Sequence, residues 1–194
     1  MGRACQLGIM VVFGMWGAIA QQNTPAFAQN ITLDGTLGPA GTLIGPDYII
    51  PQDAGQTVGS NLFHSFGQFS LDIGEAAIFQ SAPEIRTILS RVTGGSTSLI
   101  NGAIFTESLN VNLFLINPSG IVFGPNASID VGGTTRGSFV ATTANALVWP
   151  NGNQFSASNP SGANSLLTIV GDPGGFLAQV SPQPIGVSGS TLAV

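Results

Sequence analysis

The stretch Leu113-Phe114-Leu115-Ile116, Asn117-Pro118-Ser119-Gly120, Ile121-Val122-Phe123, Gly124-Pro125-Asn126-Ala127, Ser128-Ile129-Asp130-Val131, Gly132-Gly133 alternates short apolar blocks with blocks of turn formers. Asn first, Pro second and Gly fourth suit a type I turn, because proline's fixed φ fits the second position, so Asn117–Gly120 reads as a turn. In Gly124–Ala127 proline is again second and Asn126 third, the place where a type II turn needs a positive φ that Asn tolerates. Ile129 and Val131 alternate with Ser128 and Asp130, the period of a strand with one buried face. Strands this short, joined by four-residue corners, suit a chain that coils and turns at regular intervals.

The same rhythm runs outward in both directions. Upstream, Phe69, Leu71 and Ile73 alternate with Ser70 and Asp72, and Ala77, Ile78 and Phe79 follow the break at Gly74-Glu75. Downstream, 138–142, 166–170 and 185–187 read as strands, with glycine or proline at nearly every boundary. Only Asp34-Gly35 and Asn101-Gly102 stand out as reversal turns, so corners outnumber hairpins. A chain that turns corners and stacks on itself makes parallel sheets with rungs ~4.8 Å apart. The expected class is therefore all-β, a parallel β-helix (solenoid), with a β-sandwich as the alternative. One exception is predicted. Ser81, Pro83 and Glu84 resemble a helix start, and Ile85, Ile88, Leu89 and Val92 follow at helical spacing, so a short helix is expected near 82–92, with Arg86 and Arg91 solvated off its apolar face.

The first 28 residues are set apart as a secretory signal peptide. Arg3 precedes an apolar run over 9–20, too short to span a membrane, and Ala26-Phe27-Ala28 supplies a small-x-small site for cleavage between Ala28 and Gln29. Removing it takes away Cys5, the only cysteine, and leaves three arginines against nine acids with no lysine. Three scattered cations cannot hold a phosphate backbone, so nucleic acid is excluded as a partner. Enzyme chemistry finds equally little: His64 is the sole histidine, set among aromatics in Asn61-Leu62-Phe63-His64-Ser65-Phe66, where a structural role is expected. Asp72 and Glu75 are the closest carboxylates, expected in a solvated turn, and the lysine that a pectin-cleaving β-helix enzyme would offer as a base is missing. No catalytic residue, metal or cofactor is expected.

Asn61–Phe66, Ser90-Arg91-Val92-Thr93-Gly94-Gly95 and above all the string from Asn112 to Ala127 resemble the N-terminal secretion domain of filamentous haemagglutinin-type exoproteins, closest to the cyanobacterial forms. The resemblance implies a right-handed β-helix with an N-terminal cap and no catalysis. It also implies a partner, the outer-membrane transporter of a two-partner secretion pathway, met through its periplasmic domains, and release to the medium or the cell surface by way of the periplasm. It suggests a domain over 29–165, with 166–194 beginning a following β-helical region. The family's Asn-Pro-Asn-Gly-Ile turn falls on Asn117, Pro118, Ser119, Gly120 and Ile121, with serine at the third place. A second motif falls on Asn61, Leu62, Phe63, His64, Ser65 and Phe66. Both motifs are candidates for transporter recognition or for turns and core that only define the fold. The alternative function is a stand-alone adhesin module that binds glycans or host proteins.

Overall fold

The computed structural model describes residues 30–135, 137–161, 166–169 and 171–189. The chain starts with β1 (Ile31–Asp34) and β2 (Ala40–Thr42), an antiparallel pair joined through Asp34-Gly35 as expected. After β3 (Asp47–Ile50), a 3-10 turn at Gln52–Ala54 leads into β4 (Gln56–Val58) and β5 (Asn61–Phe69). The chain then coils through β6 (Ala76–Phe79), β7 (Thr87–Val92), β8 (Ser98–Ile100), β9 (Ala103–Thr106), β10 (Asn112–Ile116), β11 (Ile121–Phe123), β12 (Ser128–Asp130) and β13 (Phe139–Thr142). It leaves the coil to form β14 (Ala146–Val148), β15 (Gln154–Ser156) and β16 (Gly175–Leu177), then rejoins it at β17 (Ile185–Val187).

Each circuit visits three parallel sheets. The first holds β5, β7, β10 and β13; the second β8, β11 and β17; the third β3, β6, β9 and β12. In the first sheet Leu62, Ile88, Leu113 and Phe139 stack in one row, 26, 25 and 26 residues apart. This near-constant step defines a β-solenoid of about four turns. Inward rows fill its axis with Leu62, Phe66, Ile88, Val92, Leu113, Ile121, Phe123 and Ile129, all buried. The first rung is closed off by antiparallel strands: β1 and β4 both pair with β5, and β2 extends the sheet beyond β1. They form the expected N-terminal cap and shield the strand edge that would otherwise invite pairing with another chain.

The corners carry the turn chemistry. The Gly120 amide donates to the Asn117 carbonyl at 3.0 Å and that of Ala127 to the Gly124 carbonyl at 3.1 Å, so both expected turns close. The second is not type II, because Asn110 is the only described non-glycine residue with positive φ and Asn126 is not strained. Asn101-Gly102 is a corner between β8 and β9, which belong to different sheets, and not a hairpin.

Strands β14, β15 and β16 form a separate antiparallel sheet, with β14 central. It lies over the outer face of the first parallel sheet, where Leu147, Trp149, Phe155, Ala157 and Ile169 meet Phe63, Leu89, Phe114 and Ile116. The Phe63 ring stands 5.0 Å from that of Phe155, edge to face, and 6.0 Å from that of Trp149. We call the described residues within 144–179 the strap.

The strap explains why the predicted helix near 82–92 is a strand. With a core inside and the strap outside, β7 is buried on both faces at all six positions, so its apolar residues need no alternation and fell by coincidence at helical spacing. Only one turn forms before it, where the Ile85 amide donates to the Ala82 carbonyl. The same burial corrects the reading of Arg91, which is 3% exposed, whereas Arg86 is exposed as expected. Glu75 is also buried, and of the alternating upstream run Ile73 faces solvent while Phe69 and Leu71 enter the core. Where a strand was expected over 166–170, Leu166–Thr168 is a 3-10 turn, placed by the Asn151 and Asn153 side chains that donate to Thr168.

Candidate functional site

The first motif runs along β5 from its opening residue Asn61, and the second begins where β10 ends. Ser65 aligns through Arg91 with Ile116, so Phe66 and Asn117 lie level, two rungs apart.

Asn117 is completely buried. Its Nδ2 donates to the Ser96 carbonyl and the Ser98 hydroxyl, both at 2.9 Å, while its Oδ1 accepts the Ser119 amide at 2.9 Å. Its own amide donates to Thr142, one rung on. Asn is required here because it alone among small side chains offers two donors and an acceptor at this reach. Pro118 and Ser119 are half-buried, Gly120 takes a φ of +108°, which suits glycine, and Ile121 enters the core. Ser119 therefore serves by its backbone: its carbonyl accepts from Thr97, and the Asn side chain of the family motif is not needed to close this turn.

In Asn61–Phe66 all six residues are buried. Asn61 Nδ2 donates to the Gly171 carbonyl of the strap at 2.8 Å. Leu62, His64 and Phe66 point into the solenoid, while Phe63 and Ser65 point out toward the strap. His64 packs against Phe66 and Phe79, beside Ser90 in the parallel register, and neither ring nitrogen has a hydrogen bond of good geometry. Burial pushes its imidazole down to about 4, against a weaker pull upward from the Ala54 backbone. Among the described residues no acid or hydroxyl is hydrogen-bonded to the ring.

No local pattern in the sequence marks the polar node beside this motif. Arg91 sits next to Ser65 in the register, on the outer face. Its Nε donates to Ser65 Oγ at 2.7 Å, Nη1 to the Ser156 carbonyl at 2.6 Å, and Nη2 to Thr36 Oγ1 at 3.0 Å and the Pro160 carbonyl at 3.3 Å. Its guanidinium lies 4.6 Å from the Phe155 ring centroid. Ser65 and Thr93 in turn donate to Asp34 Oδ2 at 2.6 and 2.8 Å, and Thr36 donates to Oδ1. Burial works to raise the Asp34 pKa, but these hydrogen bonds outweigh it and hold the carboxyl below its ordinary value. Burial lowers Arg91 to about 10, opposed by the Asp34 charge. One arginine thus joins the cap, the solenoid and the strap.

Glu75 builds a second node. It accepts the Asn30 amide at 2.9 Å, the Tyr48 hydroxyl at 2.9 Å and the Asp72 backbone amide at 2.7 Å, while Asp72 itself is exposed. Burial, and then the hydrogen bond to Glu75, raise the Tyr48 pKa. Every carboxylate contact here is internal, which suits a role in fixing the cap. Among the described residues no group of three or more His, Cys, Asp or Glu is placed to hold a metal, and no helix is long and apolar enough to cross a membrane. The cleavage site at Ala28 and Gln29 lies outside the described residues.

A capped solenoid whose described polar nodes are spent on corners and joints is a structural module. The family model for the TPS secretion domain matches residues 29–194, and the chain belongs to that family, the secretion domains of two-partner systems. No curated protein matches the chain. Membership makes this an exported protein whose partner is a two-partner secretion transporter.

Proposed function

We propose that the chain is read by its transporter while unfolded, through the Asn61–Phe66 and Asn117–Ile121 segments, and that stacking of rungs outside the cell then draws it forward. One observation carries this reading. In the folded state the amide of Asn117 is wholly consumed and buried and all six residues of Asn61–Phe66 are sealed, so a partner that uses these side chains must meet them before folding. As an extended segment, each motif adds as a strand to the transporter's periplasmic domains, with main-chain bonds for affinity and alternating side chains for selectivity. Folding then buries a further apolar row with each circuit, and this drives the chain outward.

The absence of cysteine after residue 28 fits passage in an unfolded state, since no periplasmic disulfide can form to block it. We further propose cleavage after Ala28 and release to the medium or the cell surface. Of the expected following region over 166–194, residues to 179 belong to the strap, and the parallel pairing of β17 on β11 supports reading a further β-helical region from β17 onward.

The test is secretion of the full chain from an outer-membrane host with and without a candidate transporter. Transporter-dependent appearance in the medium is expected, together with its loss in an Asn117→Ala, Pro118→Ala double variant that no longer binds the periplasmic domains. If the variant bound and was secreted like the parent, the turn would be structural only.

A further inference from the structure

The strap touches both candidate motifs, and of the described residues that follow it, Pro184 and β17 meet the second motif at Ile121. At one end Gly171 accepts from Asn61 Nδ2 and also from Trp149 Nε1, at 2.8 and 3.0 Å. In the middle Trp149 and Phe155 cover Phe63. Beside Ser65, the Ser156 and Pro160 carbonyls accept from Arg91. At the far end Gln179 Nε2 donates to the carbonyls of Pro118 and Thr143, at 2.8 and 2.7 Å, and so ties down the Asn117 turn.

We propose that the strap is an intramolecular competitor of the transporter: its closure covers the contacts that stacking of the rungs alone leaves open, Asn61, Phe63 and Ser65 on the outer face of the first motif and the Pro118 carbonyl of the second, and so ends the partner's remaining hold on the chain. This rests on the reading of the motifs given above and adds to it a release step. A motif that merely folded into a strand would keep an accessible outer face, as Leu99 does at 56% exposure in β8. The outer face of Asn61–Phe66 is instead closed by residues that lie about 80 to 110 positions later in the chain. The partner can therefore hold the early motif until the late segment has emerged, and then loses it. Strap closed and partner bound are two states of one equilibrium, so weakening the strap raises apparent affinity by the fraction of chains it opens.

Two measurements on the full chain test this. The first needs no transporter. In native-state hydrogen exchange, the amides of β14–β16 should exchange through a smaller opening than those of β7 and β10. Exchange of strap and solenoid in a single global event would overturn the proposal. The second uses the periplasmic domains of a transporter that secretes the chain. Trp149→Ala should raise binding of the folded chain about tenfold or more. Gln179→Ala, at a half-buried position with two hydrogen bonds to lose, should raise it by a smaller factor even if the tryptophan variant fails to fold. Leu99→Ser, far from the strap, should leave it unchanged. Chain freshly diluted from urea serves as reference. If it binds while neither strap variant binds better than the parent, the competitor role falls and the motif reading stands. If the diluted chain does not bind at all, the motif reading falls and the release step with it.

Discussion

Acidification from pH 7.5 to 5 should cost the folded protein about 2 kcal/mol through His64 alone. The imidazole titrates near 6.5 in an unfolded chain and is held down to about 4 by burial in the fold. The folded state therefore binds fewer protons than the unfolded one. The stabilisation is complete above pH 6.5 and is lost as pH falls toward 4, to a total of about 3 kcal/mol at about 1.36 kcal/mol per pH unit. The ring's described neighbours are Phe66, Phe79, the Ala54 and Gly55 backbone and Ser90, none of them charged, so among them no carboxylate stands by to rescue the imidazolium. Asp34 contributes in a separate window, because a carboxyl lowered in the fold loses its stabilisation only below its ordinary value of 3.8. Urea unfolding at pH 7.5, 6.5, 5.5 and 5.0, with and without His64→Leu, isolates the histidine. The parent should lose stability steadily across the series and the variant should stay nearly flat. An equal slope in both proteins, or a histidine signal titrating near 6.5 in the folded state, would refute the reasoning.

Arg91→Met should destabilise the fold by about 3 kcal/mol, since it strips donors from two part-buried carbonyls and two hydroxyls, and protease should cut the strap first. Arg91→Lys should recover little of this in the same assay, because a single ammonium cannot span Ser65, Thr36, Ser156 and Pro160. At Gly137 an added Cβ would run into the Val111 carbonyl, so Gly137→Ala should lower stability by about 3 kcal/mol by urea midpoint, whereas Gly152→Ser, with open space around it, should show only the smaller cost of its positive φ. Asn117→Ala removes two donated bonds and an acceptor in a buried corner and should cost about 2 kcal/mol, with the loss read as a lower thermal midpoint.

The solenoid was legible because its corners are local. Asn117-Pro118-Ser119-Gly120 and Asp34-Gly35 state their turn within four residues, and alternation in Ser128–Asp130 states which face is buried. The strap was not legible, and the two clearest errors trace to it. A strand with one open face alternates, but β7 is covered outside by residues some 60 positions away, so Ile88, Leu89 and Val92 carried no period-two signal and mimicked a helix. Arg91 looked solvated for the same reason: the carbonyls that hold it belong to Ser156 and Pro160, which no local pattern links to it. For the candidate sites, the sequence located both motifs by resemblance, but their burial and the Gln179 and Gly171 contacts follow only from the tertiary arrangement.

The strap also changes how the last circuit closes. Earlier rows in the second sheet pair at short range, as Leu99 does with Val122, but Val122 pairs next with Gly186, 64 residues on. Loop closure grows only as the logarithm of length, so replacing a step of 23 residues by one of 64 costs about 0.9 kcal/mol more. Against this, burying Trp149 and Phe155 on Phe63 and Leu89 contributes about 1.5–3 kcal/mol for each large side chain, before any of the strap's hydrogen bonds. The excursion is therefore thermodynamically cheap as a loop and strongly favoured as a contact. Because β17 follows the strap in the chain, the strap has emerged before β17 can pair with β11, and closure of the motif-bearing face can precede completion of the final rung. In the release step proposed above, the partner therefore loses the Asn61–Phe66 segment before the final described rung is complete.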